Sequence, residues 1–150
     1  MSKVEDFLSA KDEEHVIEAI RSAEKATSGE IRVHIEKTHG ETDIFERALE
    51  VFHLLKMDNT KLSNGVLIYV AVADRDFVIY GDKGINDVVP NDFWESTKDA
   101  IVTQFKQGNY KQGLIDGILK AGEQLKAHFP WSENINELPN TISRGNATTE

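Results

Sequence analysis

Glu30, Asn64 and Asp82 each stand next to a glycine, in Gly29-Glu30, Asn64-Gly65 and Gly81-Asp82-Lys83-Gly84. Carboxylates and carboxamides on short, accessible backbone are the donors a hard divalent cation takes. Ca²⁺ gathers about six to eight oxygens from carboxylates, amides and backbone carbonyls. Asp58 and Asp87 lie in neighbouring loops and could join them. Asp43, Asp74 and Asp76 form a second oxygen-rich set and a weaker cation site. Capping and turn chemistry compete for every one of these acids. Asp43, with Glu46 three residues on, and Asp92, with Glu95, have the spacing of helix N-caps. Asp82 can be a ligand or a turn residue, and both readings stay open.

Other chemistries find less support. The chain has no cysteine, which excludes disulfides, thiolate metal sites and a cysteine nucleophile. Its five histidines are scattered, none at a ligand spacing such as HxxxH, and each reads as a solvated surface residue. There is no GxSxG elbow and no P-loop. Gly81–Gly84 is too short, and wrongly placed, to be a phosphate cradle before a helix.

The elements that position these residues centre on Asn64–Ile85. Eight nearly unbroken apolar residues, Val66–Ala73, read as a strand buried on both faces. Asp74-Arg75-Asp76 then links it to a shorter run, Phe77–Tyr80, which makes an antiparallel hairpin. Upstream, Ser9 and Asp12 start a helix whose Val16, Ile17, Ile20, Ala23 and Ala26 share a face, with Gly29 as its left-handed cap. Glu30–Lys37 alternates strictly: Ile31, Val33 and Ile35 on one face, Arg32, His34 and Glu36 on a wet or functional one. Ile44, Phe45, Ala48, Leu49, Phe52 and Leu55 mark a second helix. Strand, helix and strand in succession imply a crossover with parallel pairing. Downstream, Ile85–Asn91 reads as a loop, with helices over Phe93–Phe105 and Tyr110–Ala127. Gly113, Gly117 and Gly122 weaken the last helix and argue for close backbone packing.

The expected fold is α/β: a three-layer α/β/α sandwich whose small mixed sheet contains a βαβ unit and an antiparallel hairpin. The ordered domain spans 1–129. The stretch from Pro130 is a polar tail, with Asn140–Glu150 disordered and Trp131 and Ile135 docking its start. Strand directions send Glu30, Asn64 and Asp82 to one end of the sheet, within reach of Asp58 and Asp87. His39, Glu41, Asp43, Asp74 and Asp76 collect at the other.

A chain of 150 residues fits one domain with a self-sufficient core. With 39% hydrophobic and 29% charged residues it has ordinary globular composition. A net charge of −9 and no basic cluster argue against nucleic-acid binding. The N-terminus is too acidic for a signal peptide, and no apolar run approaches the ~20 residues that span a bilayer. A cytoplasmic protein without membrane insertion is expected.

Three segments carry a resemblance: Thr27–Val33, TSGEIRV; Asn64–Ala71, NGVLIYVA, with Asp74-Arg75; and Gly81–Ile85, GDKGI. Together with Gly108-Asn109-Tyr110, Gly113-Leu114 and Gly117-Ile118, they resemble the TPM domain, over about residues 10–127. The plant founder of that family is a thylakoid-lumen acid phosphatase linked to photosystem II repair. The resemblance implies an α/β/α sandwich, divalent-metal binding, often of Ca²⁺, and for some members phosphatase activity. It carries over to Glu30, Asn64, Asp82 and Asp92. Many bacterial members have a signal peptide and a membrane tail, and neither is read here.

The expected function is therefore binding of Ca²⁺ or Mg²⁺. A metal-dependent phosphomonoesterase would use Asp82 to activate water or attack, with Arg32, Lys61 and Lys83 as basic partners of a phosphoester substrate. The alternative is a non-catalytic protein-interaction domain that uses Trp94, Trp131 and the tail.

Overall fold

The structure, a computed structural model, describes residues 7–131 and 142–144. Helix α1 covers Ala10–Glu24 and begins with a reciprocal cap: Ser9 Oγ accepts from Asp12 N, and the Asp12 carboxylate from Ser9 N. It ends at Lys25, so Gly29 is not its left-handed cap. Gly29 instead makes room, because a Cβ there would lie 3.0 Å from Leu125 Cδ1. Strand β1 is Glu30–Glu36, helix α2 Ile44–Leu54, strand β2 Gly65–Ala71 and strand β3 Asp76–Gly81. Then come the short helix α3, Lys83–Asn86, helices α4, Glu95–Phe105, and α5, Tyr110–Lys126, and strand β4, Ser143–Arg144.

The sheet order is β3-β2-β1-β4. β1 pairs parallel with β2 across the α2 crossover, and β2 pairs antiparallel with β3 as the hairpin. β4 pairs parallel with β1 at His34 and Ile35. Part of the tail read as disordered thus lies on the sheet, while Ile135 falls outside the described residues. Trp131 is 55% exposed and does not dock. The chain leaving α5 is tied back through Ser28 N to Phe129 O at 2.9 Å.

β2 is buried at all seven positions because each face has its own cover. On one side Val66, Ile68 and Val70 join Ile31, Val33 and Ile35 beneath residues of α1, α4 and α5 such as Ile20, Ile101 and Leu114. On the other, Leu67, Tyr69 and Ala71 pack with Ala48, Val51 and Phe52 of α2 and with Met57. This is the three-layer sandwich. The polar face of β1, expected to be wet or functional, is closed by the same α2 layer. Glu30, His34 and Glu36 are all buried.

Two capping assignments change. Asp43 does cap α2, accepting from Phe45 N and Glu46 N. Asp92 does not cap α4, which starts behind Trp94 without a side-chain cap. The segment after Gly81 holds α3, capped by Asp82, where a loop was expected. Gly84 is required there: a Cβ would fall 2.1 Å from Leu62 O and 2.5 Å from Ser63 O.

The glycines of α5 fit between neighbouring helices. A Cβ on Gly117 would meet Ile101 at 2.6 Å, and one on Gly122 would meet Ala23 Cβ at 2.8 Å and its Cα at 3.1 Å. Alanine favours a helix by ~1 kcal/mol over glycine, yet at Gly122 the neighbour is a small side chain and backbone that cannot swing aside. Overpacking of this kind costs ~1–3 kcal/mol. Gly122→Ala should therefore lower stability in urea unfolding despite its better propensity. A gain near 1 kcal/mol would show that α1 and α5 separate freely.

Candidate functional site

Register brings the glycine-flanked residues together. Glu30 is the in-register partner of Gly65, and Asp82 N donates to Gly65 O at 2.9 Å. Glu30, Gly65 and Asp82, the residue that follows β3, thus form one row across the end of the sheet. Gly65 leaves the middle of the row without a side chain. A Cβ there would sit 3.0 Å from Met57 O, so a backbone carbonyl oxygen lies over the gap. Asn64 O accepts from Glu30 N at 3.3 Å, and Gly84 N donates to Ser63 O at 2.8 Å, which fixes the loop before β2 against both neighbours.

Each of the three residues is withdrawn from water: Glu30 and Asn64 are 1% exposed and Asp82 8%. Asp82 Oδ1 accepts from Lys83 N at 2.7 Å, but its buried Oδ2 has no hydrogen-bond partner. The buried Nδ2 of Asn64 has none either. Turning that carboxamide over exchanges Nδ2 for Oδ1 and presents an acceptor instead of a donor. A buried polar atom without a partner costs free energy, most of all on a carboxylate. Burial and, behind it, the Asp82 charge raise the neighbouring Tyr80 phenol. Arg32, two residues along β1 from Glu30 and on the same face, has a buried Nε without a partner. Burial lowers its pKa.

Two carboxylates, a carboxamide and a carbonyl are hard oxygen donors, which fits Ca²⁺ or Mg²⁺ and not a softer metal. Among the described residues no group of three or more His, Asp or Glu is assembled to hold a metal ion. The remaining ligands would be backbone or water oxygens.

The other expected ligands are exposed or held by local partners. Asp58 is exposed and pairs with His53 Nδ1 at 3.3 Å. Asp87 is exposed at the end of α3, and Asp92 is exposed before α4. In the second set, Asp43 is spent on its cap. Asp74 Oδ2 accepts from Thr38 Oγ1 at 2.7 Å and His39 N at 2.9 Å, bonds that lower its pKa. Asp76 accepts from Phe77 N. Each acid of this second set has its own local partner.

Glu24 and Glu36 were missed by sequence reasoning. Glu24 Oε2 accepts from Ile31 N at 3.1 Å, at the edge of β1. Burial raises its pKa to about 7, aided by repulsion from Glu30 and opposed by the Ile31 bond. Glu36 is 3% exposed beneath α2. Arg47 holds it bidentately, Nε to Oε2 at 2.8 Å and Nη2 to Oε1 at 3.0 Å. Tyr69 Oη donates to the same carboxylate, and His34 Nε2 lies 3.3 Å from Oε1. Burial alone would raise the Glu36 pKa, but the bonds from His34, Arg47 and Tyr69 with the Arg47 charge hold it at about 2. Strict alternation did place His34 and Glu36 on one face. Arg47 lay in a helix pattern that pointed to no partner.

These shifts set opposite pH dependences. The stability contributed by Glu36 is present above the ordinary carboxyl value of 4.5 and is lost as pH falls through about 2. Glu36→Gln should lower stability at pH 7 and flatten the loss between pH 4.5 and 2. Arg47→Met, which leaves the buried charge unpaired, should cost about 3 kcal/mol at pH 7. Glu24 works the other way: its contribution is present below 4.5 and is lost as pH rises through about 7. Glu24→Gln, which keeps an acceptor for Ile31 N, should melt above the wild type at pH 8 and converge with it below pH 4.5. Parallel melting curves across that range would remove Glu24 from the account.

The matches with known proteins agree with this architecture. The NMR structure of the BA42 protein from the psychrophilic bacterium Bizionia argentinensis is 67% identical, covers 97% of this chain and 100% of that one, and superposes with a TM-score of 0.89. The N-terminal domain of a P. gingivalis protein, at 22% identity, covers 82% of this chain and 79% of that one, with a TM-score of 0.68. The N-terminal domain of the cg2496 protein from Corynebacterium glutamicum, at 13% identity, covers 83% and 78%, with a TM-score of 0.64. These last two likenesses are of fold alone. A search of curated proteins gives no match. The family model described as the TPM domain matches residues 1–124, and the chain belongs to that family.

Proposed function

We propose that this protein binds a divalent cation, Ca²⁺ or Mg²⁺, at the end of the sheet where Glu30, Asn64 and Asp82 meet. The observation that carries the reading is the buried Asp82 Oδ2 without a partner, in one row with Glu30 across a residue that has no side chain. A cation at that point would offset the cost of the buried Asp82 oxygen. The net charge of −9 favours its approach.

A second reading, metal-dependent phosphomonoester hydrolysis, has one observation in its favour. The partnerless Nε of Arg32 is on the face that holds Glu30, where a guanidinium could take a phosphoryl oxygen. A bound cation would supply charge stabilisation to the phosphoryl group. Asp82 would then orient the attacking water.

Asp82→Asn separates binding from folding, because asparagine is as good an N-cap as aspartate. Ca²⁺ should move the amides of Glu30, Asn64, Gly65 and residues 81–84 in NMR titration. At about 100 times Kd it should stabilise the wild type by about 2.7 kcal/mol. Asp82→Asn should fold without metal at least as stably as the wild type and lose most of that gain. Unmoved amides at this end, or an undiminished response in the variant, would sink the cation site. Hydrolysis of a chromogenic phosphate ester that neither metal nor Asp82→Asn alters would dispose of the second reading alone.

A further inference from the structure

At the opposite end of the sheet, on the side of α4 and α5, lies a cavity of about 860 Å³. Its wall is aromatic. Phe105 takes ring edges at steep angles from Phe7 at 5.9 Å, Phe77 at 5.6 Å and Tyr110 at 5.5 Å, while Tyr110 stacks on Phe7 at 4.5 Å. Tyr110 remains 39% exposed. The size is that of a small-molecule site, about 300–1,000 Å³.

The polar lining is unusual for so acidic a chain. Arg75 and Lys106 line the same cavity, both exposed, and neither side chain has a hydrogen bond or ion pair among the described residues. The one carboxylate in the lining, Asp76, is engaged by Phe77 N at 2.9 Å. Lys106 is the C-cap of α4, where a cation also answers the helix dipole. Arg75 has no such duty. It occupies the hairpin turn at φ +54°, a left-handed conformation that glycine, asparagine or aspartate would take at lower cost.

We infer that this cavity binds a planar aromatic anion, its ring against the Phe7–Phe77–Phe105–Tyr110 wall and its charged group between Arg75 and Lys106. Ring stacking supplies contact area and the two cations select for charge. The site is independent of the cation site, being at the other end of the strands.

Naphthalene-1-sulfonate is a suitable probe, since it is no phosphatase substrate and can be used in metal-free buffer. Titrated into the full-length ¹⁵N-labelled chain, it should shift amides at residues 70–77 and 102–110 saturably and leave residues 30, 64 and 82 in place. Arg75→Gly, which suits the turn and should melt no lower than the wild type, should weaken binding about tenfold. Lys106→Gln should do so to a lesser degree. Neutral 1-naphthol should bind more weakly than the sulfonate and ignore both substitutions, and sulfate alone should move nothing. Absent shifts, naphthol binding as tightly as the sulfonate, sulfate reproducing the shifts, or undiminished binding by Arg75→Gly would each overturn the inference.

Discussion

The structure depends on a strand that is buried from end to end and carries one polar group, the Tyr69 hydroxyl, which is bonded to Glu36. β2 is buried at every position from Gly65 to Ala71 because helices cover both faces of the sheet and strands flank both its edges. Its backbone groups are satisfied by β1 and β3, so the interior is closed to chemistry. Polar function is left to the two ends of the sheet and to any polar residue that a neighbouring strand can bury with a partner. Both outcomes occur. Glu30 and Asp82 flank Gly65 where β2 starts, and the Asp74–Asp76 turn follows where it ends.

The buried face of β1 is the expensive part of this arrangement. A carboxylate beneath a helix is costly unless its oxygens are filled, and Glu36 fills them with a bidentate guanidinium, a phenol and an imidazole nitrogen. Replacing Arg47 is costly because it carries the guanidinium charge that faces the carboxylate. The same network ties α2 to β1 and to Tyr69 of β2, so the crossover helix is joined to both strands that it connects. A layer held only by Ala48, Val51 and Phe52 could slide along the sheet. One anchored at Arg47 has a defined register, which in turn holds the following loop and Met57 O over Gly65.

Much of the fold was legible because alternation and helical spacing are local signals. Ile31, Val33 and Ile35, the Val66–Ala73 run, and the glycines of the last helix each pointed to the contacts they make. The direction of the strands alone put Glu30, Asn64 and Asp82 at one end. The hidden features depend on what lies above a face. Alternation cannot say that α2 closes over His34 and Glu36, nor that Arg47 reaches across to them. The Asp82 cap was hidden because α3 has only four residues, too short for a periodic pattern. The Asp92 cap failed because spacing alone does not order a first turn when Trp94, packed toward Gly81, decides where the helix begins. Residues 142–144 could join β1 because β4 meets that strand only at its far end, a tertiary pairing with no local signature.

The two ends of the sheet differ in what a visitor would find. At the glycine-flanked end, buried acids sit close together. Glu24 is pushed up to about 7 by burial and by Glu30, and Asp82 keeps an oxygen without a partner. Burial and like charge there favour a proton on Glu24. At the turn end the cavity is walled by aromatic rings, and Arg75 and Lys106 line it without a hydrogen bond or ion pair among the described residues. A charged ring can settle there without any prior partner. A strand about seven residues long, at roughly 3.3 Å per residue, keeps the two ends some 20 Å apart. Over that distance the Debye length of ~8 Å in physiological salt leaves little direct coupling. Each end can then be tuned by substitution without disturbing the other. The buried middle of β2 insulates them while holding both in place.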